Sequence, residues 1–227
     1  MRTLLFASAL LFVVACQDAP ADSAAPEASG ATAESAAPAA AEAGDIVPGT
    51  AAPDFTLTAA SGETYTLADL RGRTVVLEWL NYGCPYVNKF YEAGEMQRLQ
   101  REYAGDDDVV WLAVVSSAPG EQGHYEAADM LAETEARDGA ATDVLLDPTG
   151  EVGKLYGAKT TPQMFVISPE GTVVYNGAID DQPVTNPESL DGATNYLVSA
   201  MAALAEGREA DPDRTEPYGC SVKYADA

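Results

Sequence analysis

The residues best equipped for chemistry in this chain of 227 residues are its three cysteines, Cys16, Cys84 and Cys220. Cys84 follows an apolar run and Gly83, and precedes Pro85, which suits the first turn of a helix. A cysteine between a buried strand and the first turn of a helix has its sulfur near unpaired N–H groups and the positive end of the helix dipole, which favours the thiolate. The thiolate is the nucleophile in disulfide exchange and in peroxide reduction. A free cysteine can also be a small buried apolar residue, but Gly83-Cys84-Pro85 puts this one on a loop and not inside an element. Around it, Glu78 is an acid inside an apolar run: a candidate proton acceptor for Cys84, or a side chain that reaches an edge or a partner. Trp79, Tyr82 and Tyr86 line the groove around the sulfur or simply pack. His124, the single histidine, lies in a glycine-containing loop and reads as a solvated residue before it reads as a base.

These side chains must be held by an α/β framework. A hairpin is expected from Asp54–Thr58 and Thr64–Leu67 through Ser61-Gly62. Thr74–Leu80 is apolar and of strand length, a central strand. The loop Asn81–Cys84 opens a helix running to about Tyr103, with Val87, Phe90, Tyr91 and Leu99 on its buried stripe. Val109–Ser117 is a second buried strand, followed after a loop by a helix over Tyr125–Arg137, an order that calls for parallel pairing. Asp143–Asp147 is a short strand and Val152–Tyr156 a short helix. Met164–Ser168 and Thr172–Ala178 form two strands joined by Pro169-Glu170-Gly171. A last helix is expected over Pro187–Glu206, and the remainder, residues 207–227, is a polar tail carrying Cys220.

The two ends of the composition are informative. Arg2 followed by the apolar run Leu4–Ala15 has the form of an export signal and is too short for a permanent span. It ends in Val13-Val14-Ala15-Cys16, which resembles the lipobox of bacterial lipoproteins; that resemblance implies cleavage before Cys16 and a lipid on its thiol. The expected location is therefore outside the cytoplasm, anchored by lipid to a bacterial membrane and facing the periplasm. Residues 17–46 are almost wholly Ala, Pro, Ser, Thr, Gly and acids, unable to bury enough apolar surface to fold, and read as a disordered spacer. The folded domain is expected over residues 47–206. Thirty-six acidic against 12 basic residues give a net charge of −24 with no Lys/Arg cluster, which argues against nucleic-acid binding. With Cys16 spent on lipid, Cys84 and Cys220 are too few for a disulfide-stapled scaffold but enough for a redox pair.

The order of elements, Cys84-Pro85-Tyr86-Val87 and the later Thr160-Thr161-Pro162 together resemble the thioredoxin superfamily, most closely its redoxin or peroxiredoxin-like (AhpC/TSA-like) branch. The resemblance covers about Val47 to Glu206. It implies a thioredoxin-like fold: a central mixed β-sheet flanked by helices with an N-terminal β-hairpin. It also implies that Pro162 is cis and faces Cys84, and that the backbone at Thr161 and Pro162, with Pro85 and Tyr86, forms a groove for an extended substrate. Proteins of this group often end in a tail similar to Pro217-Tyr218-Gly219-Cys220-Ser221-Val222-Lys223-Tyr224, which implies that Cys220 resolves an intermediate formed on Cys84. About 14 residues lie between the last helix and Cys220, a reach of roughly 45 Å when extended, so distance permits the pairing. A permanent staple of this size would stabilise by about 4 to 5 kcal/mol on a chain-entropy model.

The sequence also departs from its relatives. Val87 stands where a dithiol motif has its second cysteine, so Cys84 cannot close a local C-x-x-C bond. Typical peroxiredoxins carry proline seven and threonine three residues before the reactive cysteine; here Leu77 and Asn81 stand there, and Asn81 or Tyr82 is left to donate in place of the threonine hydroxyl. Three functions stay open. The favoured one is a cell-envelope thiol–disulfide oxidoreductase, drawing electrons from an envelope thiol reductant and acting on protein or small-molecule disulfides. The second is a thiol peroxidase acting on peroxide, and the third a binding module with a permanent Cys84–Cys220 staple. None implies an organic cofactor, and the cysteine spacing argues against a metal site.

Overall fold

The computed structural model describes Gly44 and residues 46–225. The expected export signal, the expected lipobox with Cys16 and nearly all of the expected spacer lie outside the described residues. The elements run β1 (Thr56–Thr58), β2 (Thr64–Thr66), β3 (Thr74–Trp79), α1 (Pro85–Glu92), α2 (Glu95–Ala104), β4 (Val109–Val115), α3 (Ala127–Ala136), β5 (Asp143–Leu146), α4 (Glu151–Leu155), β6 (Thr160–Thr161), β7 (Gln163–Ile167), β8 (Val173–Gly177), α5 (Tyr196–Ala205) and β9 (Cys220–Ser221).

Strands β5-β4-β3-β7-β8, in that order, make the central mixed sheet. β3, β4 and β5 are parallel, joined by helical crossovers, whereas β7 runs antiparallel to β3 and β8 to β7. β1 and β2 form the N-terminal hairpin, with Thr56 opposite Thr66. This is the thioredoxin-like mixed α/β architecture that the sequence leads one to expect.

Strand alternation divides the core into two layers. From β3 and β4, Val75, Leu77, Trp79, Val110, Leu112 and Val114 face a layer closed by the hairpin region and α4, through Phe55, Leu67, Leu70, Val152 and Tyr156. Val76, Leu80, Trp111, Ala113 and Val115 face the other, filled from the helices by Val87, Phe90, Met96, Leu99, Met130, Leu197 and Met201. Glu78 is the polar member of this second face, level with Ala113 and Met164 on the flanking strands.

Two expected helices are shorter than their apolar patterns. The stretch from Pro85 breaks in two because Gly94 adopts φ 74°, a left-handed conformation that ends a helix; Val87, Phe90, Tyr91 and Leu99 are nevertheless all buried. The last helix begins at Tyr196, where the Asn195 side chain accepts from Val198 N at 3.0 Å and caps it. Pro187–Leu190 is only a 3-10 turn.

The polar tail is tied to the domain along its length. Asn176 N donates to Asp213 O, Thr215 N to Asn176 O, Val222 N to Lys159 O and Ala118 N to Lys223 O, at 2.8 to 3.2 Å. Packing also starts before residue 47: Ile46 is buried and its carbonyl accepts from Asn176 Nδ2 at 2.9 Å.

Candidate active site

Cys84 caps α1 in an extended conformation, φ −86° and ψ 122°, with Pro85 at the first helical position. Its N–H donates to Asn81 O at 2.9 Å, and its carbonyl accepts from Val87 N at 3.0 Å and Asn88 N at 2.9 Å. The residue is fully buried, and its Sγ donates to Thr161 O at 3.0 Å. The opposite wall is a two-stranded ladder in which β6 pairs antiparallel with β9, Thr161 directly across from Cys220. The Thr161–Pro162 peptide is cis.

Cys84 and Cys220 are free thiols, and they hydrogen-bond to each other. Burial pushes the Cys84 thiol up. Side-chain and backbone hydrogen bonds from Cys220, with further bonds from the Thr161 side chain and the Val87 N–H, outweigh it and hold the thiol below its ordinary value. Cys220 moves the other way: burial, then its hydrogen bond to Cys84 and the charge there, push it up to about 11 against the pull of Lys223. Cys84 is thus the sulfur that ionises and Cys220 the one that keeps its proton and donates. The Thr161 hydroxyl is buried and has no other protein partner, so its proton serves the Cys84 thiolate.

A family model described as the AhpC/TSA family matches residues 48–176, more than half of the chain. The chain belongs to the AhpC/TSA family. Thioredoxin-like protein YneN of Bacillus subtilis (strain 168) is 28% identical over 148 residues, 64% of this chain and 81% of that protein. Among solved structures, an uncharacterized conserved protein from Geobacillus kaustophilus superposes with a TM-score of 0.67 at 28% identity, covering 80% of this chain and 94% of that one. A hypothetical protein from Sinorhizobium meliloti 1021 gives 0.66 at 26% identity, covering 81% and 98%.

In this AhpC/TSA chain the sequence-derived candidates divide into groups. Cys84, Pro85, Thr161, Pro162 and Cys220 come together. Tyr86, half-buried, meets the tail through an edge contact with Tyr218, ring centroids 5.8 Å apart. Trp79 does not join them: it lies on the opposite face of β3, fully buried against Tyr156 and Phe165, with Nε1 donating to Ser116 Oγ. It packs, because a side chain at that position of β3 faces away from α1. Asn81 and Tyr82 do not supply the donor that the absent threonine would: Asn81 Nδ2 bonds Gln122 O at 3.0 Å and Tyr82 OH bonds Thr134 Oγ1 at 3.1 Å. His124 Nδ1 pairs with Ser117 O. Among the described residues, no group of three or more His, Cys, Asp or Glu side chains is arranged to hold a metal ion.

Glu78 is fully buried and receives Trp111 Nε1 at 2.8 Å, Gln100 Nε2 at 2.9 Å and Tyr91 OH at 3.5 Å. Burial raises its pKa to about 7 against these donors, which favour the charged form. Cys84 is not among its hydrogen-bond partners, so any proton passing between them needs an intermediary.

Lys89 escaped the sequence reading. Buried within α1, its Nζ bonds Asp180 at 3.3 Å, Gln182 O at 2.7 Å and Tyr218 OH at 3.0 Å, and Tyr218 OH in turn donates to Asp180. This cluster moors the tail two residues before Cys220. The available signal was a lysine set among Val87, Phe90 and Tyr91: a cation that enters the buried side of such a helix needs a buried acid.

Proposed function

We propose that the protein is a thiol–disulfide oxidoreductase of the bacterial cell envelope in which Cys84 is the nucleophile and Cys220 resolves the intermediate. The observation that carries this reading is that two free thiols with opposite ionisation tendencies meet beside the β6·β9 ladder, Cys84 bonded to the Thr161 carbonyl and Cys220 paired with Thr161. The Cys84 thiolate attacks one sulfur of a disulfide RSSR′, forming Cys84–S–S–R and expelling R′S⁻, which takes up a proton. Cys220 then gives up its proton and attacks the Cys84 sulfur, forming Cys84–Cys220 and expelling RS⁻. The substrate gains two electrons, and an envelope thiol reductant returns two to the protein. The location rests on the export signal and the lipobox at Cys16.

A second reading, a thiol peroxidase, is favoured by the family and by the buried Thr161 hydroxyl, a donor near the sulfur that replaces the one missing at Asn81. There the Cys84 thiolate attacks a peroxide oxygen, releasing an alcohol or water and becoming a sulfenic acid, with which Cys220 condenses to the disulfide and water. Thiol trapping and intact mass separate the two, applied to wild type and Cys220→Ser after hydrogen peroxide or oxidised glutathione. Fast glutathionylation of Cys84 in the variant with slow oxidation by peroxide is the expected result. A sulfenic acid accumulating at low peroxide selects the peroxidase, and a Cys84 inert to both reagents overturns both.

A further inference from the structure

Beside Cys84, β6 is a strand edge, and such an edge offers unpaired N–H and C=O groups that an extended chain can pair with. In this molecule the chain's own tail already holds it. β9 pairs with β6, Thr160 with Ser221 and Thr161 with Cys220. Gly219, at φ 143°, lies so close to the Thr161 carbonyl oxygen that a Cβ there would overlap it. The ends are fastened outside the ladder: Tyr218 into the Lys89–Asp180 cluster, Val222 N to Lys159 O at 3.0 Å with its side chain buried, and Tyr224 OH to Ala158 O at 2.8 Å. Cys220 therefore occupies the place that the cysteine of a bound polypeptide would take.

We propose that residues 218–224 are a resident strand filling the polypeptide-binding edge, so that the oxidants reaching Cys84 are small disulfides or peroxides and extended polypeptide disulfides are excluded. The inference rests on Cys84 being the nucleophile. Geometry reinforces it. A polypeptide that displaced the strand would carry Cys220 away from Cys84, and the mixed disulfide it formed would have no resolving thiol. Pairing with an extended substrate and closing the Cys84–Cys220 bond are mutually exclusive at this edge.

The test compares full-length Cys220→Ser with Cys220→Ser/Tyr224→Ala and Cys220→Ser/Val222→Pro; the last removes the N–H that bonds Lys159 O. Each is reacted with bis(hydroxyethyl) disulfide, with hydrogen peroxide and with an extended peptide carrying a disulfide to a small thiol, and Cys84 modification is followed by mass. With the strand fastened, the small disulfide should outpace the peptide by about tenfold or more, the scale of losing two backbone hydrogen bonds. Loosening the strand should bring the ratio down by a similar factor, roughly tenfold, in at least one double variant. A peptide that reacts as fast as the small disulfide in Cys220→Ser, or a ratio that moves in neither double variant, overturns the proposal. A Cys84 that reacts with no reagent in any variant is a different outcome: it removes the nucleophile itself, and the proposed function with it.

Discussion

At the scale of single residues, the pair works because one environment pulls two identical thiols apart. The bonds that offset the burial of Cys84 come mainly from Cys220, so Cys220→Ala should raise the midpoint of the pH profile for Cys84 alkylation. The check is the iodoacetamide rate followed by mass across pH in both proteins; an unchanged midpoint would mean that the helix terminus and Thr161 alone set the thiolate. Glu78 gives a prediction of opposite kind, in stability. Its pKa rises from 4.5 to about 7 in the folded protein. The folded state therefore holds a proton that the unfolded state has lost between those values, and stability falls as pH rises through that window. The stabilisation is complete below about 4.5 and its loss, complete above about 7, is on the order of 3 kcal/mol. Urea unfolding at several pH values should show this slope in the wild type, and Glu78→Gln should flatten it. Equal slopes would place the titration on another group.

At the scale of elements, the site depends on a ladder of two residues per strand. Nothing in Thr160-Thr161 or Cys220-Ser221 marks a strand: both are too short for an alternating pattern, and their two pairs span 59 and 61 positions of sequence. The longer strands were legible because β3, β4 and β7 are buried on both faces and read as continuous apolar runs. Helix ends were less so. Gly94 breaks a pattern whose apolar spacing continues through it, and the cap at Asn195 overrides the helix start suggested by Pro187. The Cys84–Pro85 helix start was legible from local chemistry and the cis Pro162 only through the family resemblance, whereas the choice between groove and packing stayed open for Trp79 because a run of buried residues does not say which face each one takes. Gly219 is where the ladder is most exposed to change. Gly219→Ala places a side chain at φ 143° against the Thr161 carbonyl, and the reduced protein should lose about 1 to 3 kcal/mol. Closure of the Cys84–Cys220 bond by a small oxidant should slow in parallel. Urea unfolding under reductant, with timed trapping of free thiols, reads both; a loss of stability with undiminished closure would mean that the cysteines meet without the ladder.

At the scale of the whole molecule, a chain with 36 acidic and only 12 basic residues sets one of its few cations fully inside. Lys89 joins α1, the loop after β8 and the tail through Asp180, Gln182 and Tyr218, so the position of Cys220 depends on a charge buried in the helix that Cys84 caps. Burial lowers the pKa of that ammonium and Asp180 opposes the shift, so each group is tolerable inside only in the presence of the other. Lys89→Met removes one partner and leaves Asp180 buried with the Gln182 N–H and the Tyr218 hydroxyl, neither of which carries a charge. The expected cost is about 3 to 5 kcal/mol, and Lys89→Met/Asp180→Leu should recover at least half of it, because a matched apolar pair has no stranded charge. The same substitution should free the tail, so a bulky maleimide should label Cys220 faster in Lys89→Met than in wild type at a urea concentration where both remain folded. If single and double variants are equally unstable, the cluster acts through packing and not through charge. If Cys220 labelling is unchanged while stability falls, the contacts at Val222 and Tyr224 hold the strand by themselves, and the tail is moored from its far end.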